Sequence, residues 1–472
     1  MPDTTHPVES PLYWPVAKLI LAYRAGTLSP LEVLQESKDR ADAFDGEMNI
    51  YVTRMDQLAD QQAKAAEKAY KDGTAGPLSG VPVSIKDAFQ VKGYRTTYGS
   101  LKFRDHVSTK DTGTAARLRK SGAVMTGKTN TAEFGQSATT DNLLGPDTTN
   151  AWDPKRTPGG SSGGAASSVA AGLVSLALGS DGGGSIRIPA SFSGIFGIKP
   201  TYGLVKDEGG ASSMDAFVCP GPLARTVADA RVMLNVLAER NFTRSTPDRP
   251  LKIAWCTSPE NRPVDENVAK VFHAALQQIR LIGHQLVEVD LPVGGWKDIF
   301  GPLVLWAERR EHGHFLDEDK TELTEYQLAT LEAALNVRDT DIAKAKEDLI
   351  GYRARFDAYL TEFDVVLTPT NAVTAFEIGN RPAQINGQPV SELWGAFPFT
   401  SPFNVAGVPA ASIPIGLAHG MPVGMQVVMK IGRDEDLLNV CEELEEAFAF
   451  DLSALKRRWQ LQTAHQWQVP SE

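Results

Sequence analysis

The hydrophobic positions change period along the chain, and each change marks a new part of it. Positions 16–24 repeat at helical spacing and stop before Gly26, which predicts an amphipathic helix. Ser29, Pro30 and Glu32 then stand at N-cap, N1 and N3 of a second helix reaching about Phe44, a capping-box arrangement. Positions 55–72 are polar and alanine-rich, a solvated helix closed by Gly73. After residue 75 the pattern turns to short apolar runs. Positions 80–87 read as a strand ending in Lys86 and Asp87. Further strands are predicted at 123–126, 173–178, 251–255, 285–290, 364–368, 411–415 and 423–429. Helices fall among them at 114–121, 226–240, 267–281 and 434–449. Such alternation, with apolar strand cores, argues for an α/β fold whose sheet is covered by helices on both faces. Residues 293–350 are charged and helical, the expected insertion or lid.

Two glycine-rich serine clusters interrupt this alternation, at 159–164 (GGSSGG) and 181–185 (DGGGS). Ser161 and Ser185 are 24 residues apart, so one helix–strand unit can return the second cluster beside the first. A flexible linker shares the composition. It would not contain the apolar run 169–178, nor be followed by Ile186, Ile188, Phe192, Ile195, Phe196 and Ile198. Those residues require a core, so the loops are held rigidly. Glycine here lets the backbone approach a ligand and leaves successive N–H groups free to converge on an anion.

Composition narrows the function. Of 472 residues, 42% are hydrophobic and 22% charged, ordinary for a globular enzyme. The net charge of −11 argues against a nucleic-acid partner. No run of about 20 apolar residues predicts a membrane helix, and the first residues lack a secretory pattern. Three scattered cysteines fit a reducing cytoplasm rather than a disulfide framework. The eight histidines lie in no recognisable motif, without HExxH for a metal or GxSxG for a Ser-His-Asp hydrolase. His312 and His314 read as solvated, and neither metal nor cofactor is expected.

The chemistry on offer is a serine–lysine arrangement. An ammonium at the end of an apolar strand is partly desolvated, which lowers the pKa of Lys86 toward that of a useful base. A serine hydroxyl needs such a base to become a nucleophile. Ser185 follows Gly182, Gly183 and Gly184, whose N–H groups can form an oxyanion hole. Residues 122–129 formally satisfy the phosphate-loop pattern GxxxxGK[ST]. That pattern needs a strand before it and a helix after it. Here Gly122 follows a helix and the strand lies inside the span, so an NTPase is the weaker alternative.

These motifs together resemble the amidase signature family of serine hydrolases. The resemblance rests on GVPVSIKD (80–87), GKTNTAEFG (127–135), GGSSGG (159–164) and GGSIRIPASFSGIFGIKPT (183–201). It resumes in FTSPFNVAGVPAASIPIG (399–416) and MPVGMQ (421–426). It implies one domain over 1–472 built on a large mixed β-sheet. Its parts would be an N-terminal helical layer (1–75), the signature core (76–240), the helical insertion (293–350) and the C-terminal part of the sheet (360–450). It further implies Ser185 as nucleophile, Ser161 after a cis Gly160–Ser161 peptide as proton relay, and Lys86 as general base. The implied activity is hydrolysis of carbon–nitrogen bonds through an acyl-enzyme, in a chain that pairs as a homodimer. The same family contains the glutaminase subunit of tRNA-dependent amidotransferases. Those subunits carry an acidic residue before the FT segment, where this chain has Phe397 and Pro398. A free hydrolase of small-molecule amides is therefore favoured.

Asn130 and Gln136 are expected to wall the acyl pocket, with Trp306, Trp394 and Phe399 as apolar lining. Such a lining points to a bulky substrate, an aryl amide or aryl carbamate, and an ester would react through the same groups.

Overall fold

In the computed structural model, which describes residues 10–207, 214–247 and 249–461, the apolar runs become strands of one eleven-stranded sheet. Its first half in the chain is β1 (Tyr51–Arg54), β2 (Pro82–Lys86), β3 (Val124–Thr129), β4 (Leu176–Asp181), β5 (Phe196–Lys199) and β6 (Cys219–Ala224). Then come β7 (Lys252–Trp255), β8 (Gln285–Glu288) and β9 (Val365–Pro369). A small separate hairpin, β10 (Gln384–Ile385) and β11 (Gln388–Pro389), precedes β12 (Ala410–Ala418) and β13 (Met421–Val428). The spatial order is β1-β3-β2-β4-β6-β5-β12-β13-β9-β7-β8. β2 runs parallel to β3 and β4, and β7 runs parallel to β8 and β9, whereas the central pairs are antiparallel. The sheet is therefore mixed, as the sequence led us to expect.

The helices are α1 (Val16–Ala25), α2 (Pro30–Met48), α3 (Asp56–Lys71), α4 (Gly113–Lys120), α5 (Gly163–Ala170), α6 (Arg187–Ser193) and α7 (Val227–Ala238). They continue with α8 (Glu266–Leu281), α9 (Trp296–His312), α10 (Glu325–Ala334), α11 (Asp339–Tyr359), α12 (Ser401–Ala406), α13 (Asp434–Phe448) and α14 (Ser453–Arg458). The strands between the sheet's edges are buried on both faces, and their period of two divides the core. Leu176 and Leu178 of β4 join Val365 and Leu367 of β9 in a cluster with α7, α8 and α13. The alternate residue Ala177 packs on the other face with α5. Val366 turns to that face too, against α9, α11 and α12. Helices thus cover both sides.

Differences from expectation have local causes. The capping box at Ser29 forms, but α2 runs on to Met48 because Asn49 takes the left-handed conformation that stops it. β1, β5 and β6 fall on stretches where the pattern predicts no strand. β3 extends through Gly127, Lys128 and Thr129, so the phosphate-loop pattern lies in an extended strand. Lys128 is fully buried there and donates to Asp87 Oδ1 at 2.6 Å and Thr96 Oγ1 at 2.9 Å, which overturns the NTPase alternative. The first nine residues, with His6, and His465 near the other end lie outside the described residues. Among the described residues no helix is long and apolar enough to cross a membrane.

Candidate active site

Parallel strands β2 and β4 end side by side, and each ends in a charged side chain. On β2, Val83 and Ile85 enter the main core cluster, so Ser84 and Lys86 point the other way, toward α5. Ser84 Oγ lies 2.9 Å from Ser168 Oγ of α5. One pleat further, Lys86 Nζ donates to Ser161 Oγ at 2.6 Å and to Ser180 Oγ at 3.0 Å. Ser161 stands on the loop entering α5, after a cis Gly160–Ser161 peptide. Only glycine fits at 160, since a Cβ there would lie 2.3 Å from the Thr139 carbonyl oxygen. Lys86 is 1% exposed. Burial strips water from its ammonium and pushes its pKa down to about 7, against the opposing pull of Asp181. Near neutrality a large fraction is therefore free amine, a base with a hydroxyl already in hand.

The second loop hangs from Asp181. Its buried carboxylate takes Arg187 Nε at 2.9 Å and Nη2 at 2.8 Å, and Asn404 Nδ2 at 2.8 Å. Burial alone would raise its pKa, but the charge and hydrogen bonds of Arg187, with Asn404 and Lys199, outweigh that and bring it to about 2. Arg187 also donates to the Thr400 carbonyl at 3.0 Å and to Gln426 Oε1 at 2.6 Å. The ion pair thus ties the start of α6 to α12 and β13. Asp181 Oδ1 accepts the Gly184 N–H at 2.8 Å, and the Gly183 carbonyl accepts Thr400 Oγ1 at 2.6 Å and Ser401 Oγ at 3.0 Å. Gly184 is therefore corrected as an oxyanion donor: its N–H is already used. The N–H groups of Gly182, Gly183 and Ser185 have no acceptor among the described residues. Replacing Arg187 by methionine leaves the Asp181 charge buried and unpaired, and is expected to lower unfolding free energy by about 3–5 kcal/mol. Urea denaturation measures this, and a loss below about 1 kcal/mol would contradict the structural role given to the pair.

Two cavities meet at Ser185. The smaller, about 290 Å³, is bordered by Lys86, Ser161, Ser180, Phe134 and His312. The larger, about 630 Å³, is bordered by Ile188, Trp296, Phe300, Trp394 and Phe397. Gly135, Ser185 and Met214 border both. The Amidase family model matches residues 32–438 of the chain.

The chain belongs to the amidase family. It is similar to a glutamyl-tRNA(Gln) amidotransferase subunit from Carboxydothermus hydrogenoformans, 34% identical, covering 93% of this chain and 98% of the relative. An indoleacetamide hydrolase of Bradyrhizobium diazoefficiens is 31% identical over 92% of this chain and 86% of its own length. The crystal structure of a bacterial aryl acylamidase of the amidase signature family superposes with a TM-score of 0.85 at 26% identity, over 95% of this chain and 98% of that one.

In this amidase the residues expected to line the pocket separate into two groups. Gln136 and Trp394 border the larger cavity, and Gln136 Nε2 donates to Glu308 Oε1 at 2.7 Å. Asn130, Trp306 and Phe399 border neither cavity. Asn130 is buried, held by Thr148 at 3.1 Å and Asn142 at 2.7 Å. Trp306 faces α11, with Lys346 Nζ 4.6 Å from its ring. Phe399 points into the core, while Phe397 and Pro398 take its place at the wall. Sequence reasoning missed a ridge along α9. Trp296, Phe300, Val304, Glu308 and His312 follow at four-residue spacing, the first three on the larger cavity and His312 on the smaller. That spacing was the available signal. His312, read as solvated, is a cavity residue. Among the described residues no three His, Cys, Asp or Glu side chains gather as a metal site requires.

Proposed function

We propose that this amidase is a free-standing hydrolase of bulky, apolar amides or aryl carbamates, acting through Lys86, Ser161 and Ser185. The observation that carries the reading is the 2.6 Å contact from a buried, weakly basic Lys86 to Ser161, in the cavity that Ser185 also borders. Neutral Lys86 takes the Ser161 proton as Ser161 takes that of Ser185. Ser185 Oγ attacks the carbonyl, and the tetrahedral oxyanion turns to the N–H groups of Gly182, Gly183 and Ser185. The C–N bond then breaks as the leaving nitrogen receives the proton back through Ser161. Water, deprotonated by the same route, hydrolyses the acyl-enzyme. From a carbamate that binds through its alkoxycarbonyl group, the deacylation product is a carbonate half-ester, which releases carbon dioxide.

Ser161 borders the smaller cavity and not the larger. The leaving amine, which must reach Ser161, is assigned to the smaller cavity and the acyl part to the larger. A role within an amidotransferase complex is the second reading, favoured by the name of the relative from C. hydrogenoformans. Against it, the larger cavity is bordered by Arg262 and Lys297 but by no Asp or Glu among the described residues, so nothing there pairs with a glutamine ammonium. Burying an aromatic ring contributes about 1.5–3 kcal/mol, so anilides and aryl carbamates should exceed malonamide and free glutamine about 10- to 100-fold in kcat/KM. Preference for the small polar amides would overturn the substrate class, and glutamine as the best substrate would favour the amidotransferase reading.

A further inference from the structure

We propose that His312 determines specificity on the amine side, accepting a hydrogen bond from an N–H or O–H carried by the leaving group. This rests on the assignment of Ser161 and Lys86 as the proton relay.

His312 is the last residue of α9, and its Nδ1 lies 3.0 Å from Glu308 Oε2 one turn earlier. Glu308 is fully buried and also accepts Gln136 Nε2 at 2.7 Å and Gln327 Nε2 at 2.9 Å. A carboxylate ringed by donors only accepts, so Nδ1 carries a proton, and the neutral imidazole with that tautomer has its lone pair on Nε2. Nε2 has no partner among the described residues. The ring is fixed in plane as well as in rotation. It stacks on Phe134 with centroids 3.9 Å apart and planes 22° apart, and lies 9° from the plane of Phe315. Tyr98, Phe103 and Phe134 are the aromatic part of that cavity's lining, with the Tyr98 hydroxyl already bonded to Gln90 at 2.9 Å; Glu311 also borders it, its Oε1 taken by Arg310 Nε at 2.7 Å. An oriented acceptor stacked among aromatic rings, bordering the same cavity as Ser161, suits an aryl amine bearing a second polar hydrogen. Bound there, a hydroxyaryl or aminoaryl leaving group satisfies Nε2, whereas an alkylated one leaves it unpaired and desolvated.

The test compares 3- and 4-hydroxyacetanilide with their methoxy counterparts on purified full-length enzyme. Wild type is expected to favour one hydroxyl isomer about tenfold in kcat/KM over its methoxy partner. His312→Phe, which keeps the stack and removes the acceptor, should bring that ratio to about one, and His312→Gln should restore part of it. His312→Leu repeats the measurement should the phenylalanine variant not fold. A wild-type ratio near one, or a ratio kept in the variants without an acceptor, overturns the proposal. Ser185→Ala is assayed alongside. Turnover surviving that change sinks the catalytic reading itself, while loss of turnover there with an unchanged His312→Phe ratio sinks only the role of His312.

Discussion

Replacing Ser185 by alanine is expected to cut anilide hydrolysis about ten-thousandfold or more while the fold stays intact. The residue sits half-buried where the two cavities join, on a loop pinned from Asp181, Thr400 and Ser401. Those anchors do not involve its hydroxyl, so removing one oxygen leaves the loop as it is. What remains is binding and the backbone N–H groups, which by themselves give only a small fraction of the rate. Initial rates on 4-nitroacetanilide measure the loss. Mass spectrometry after an activated ester should find the acyl group on Ser185 in wild type and none in the variant. An adduct elsewhere, or more than about a hundredth of the rate remaining, would move the nucleophile to another residue.

The second large effect concerns Lys86. Lys86→Met keeps most of the volume and removes the base, and amide turnover is expected to fall about a thousandfold or more. Activated esters should lose less, because their leaving groups need no proton. The proposed relay needs the free amine, so in wild type kcat/KM should rise with pH and level off above about 7. That limb should vanish in the variant. Stability responds with the opposite sign to that of a lysine that gains a partner. The folded pKa is lowered from 10.5 to about 7, so the folded chain sheds its proton first and wild type gains stability as pH rises between those values. Lys86→Met should therefore stabilise the fold most below pH 7, where the charged amine is buried at a cost. A flat pH profile in wild type, or equal losses on amides and esters, would remove Lys86 from the relay.

Much of this site could be read from the chain because its parts are local. Lys86 closes an alternating strand, Gly160 and Gly184 each precede a serine, and each signal spans a few residues. β6 was illegible for the opposite reason. Cys219–Ala224 carries Pro220 and Pro222, which argue against a strand inside a sheet. It is tolerated because β4 pairs along the whole of β6, whereas β5 meets only Leu223 and Ala224. The prolines thus lie where one side of the strand has no ladder to complete, a fact of topology and not of sequence. The pocket residues failed similarly. Aromatic character singled out Trp306 and Phe399, but helical phase turns Trp306 to α11 and the start of α12 turns Phe399 inward. Conversely the sequence marks 293–350 only as charged and helical and His312 as solvated, and it is the packing of Glu308 and His312 against Gln136, Gln327 and Phe134 that reveals an interior pair.

The ridge on α9 divides labour in this molecule. In the proposed mechanism the base sits on a strand of the sheet, and the two serines stand on the short loops that enter α5 and α6. On the proposed function, selectivity falls to successive turns of a single helix, oily at one end and hydrogen-bonding at the other. If the acyl and amine sides are divided as proposed, substitutions at Trp296, Phe300 or Val304 would retune which acyl groups are accepted and those at His312 which amines, with the proton path left in place. Such separability lets one scaffold drift from substrate to substrate by editing a few turns of surface helix.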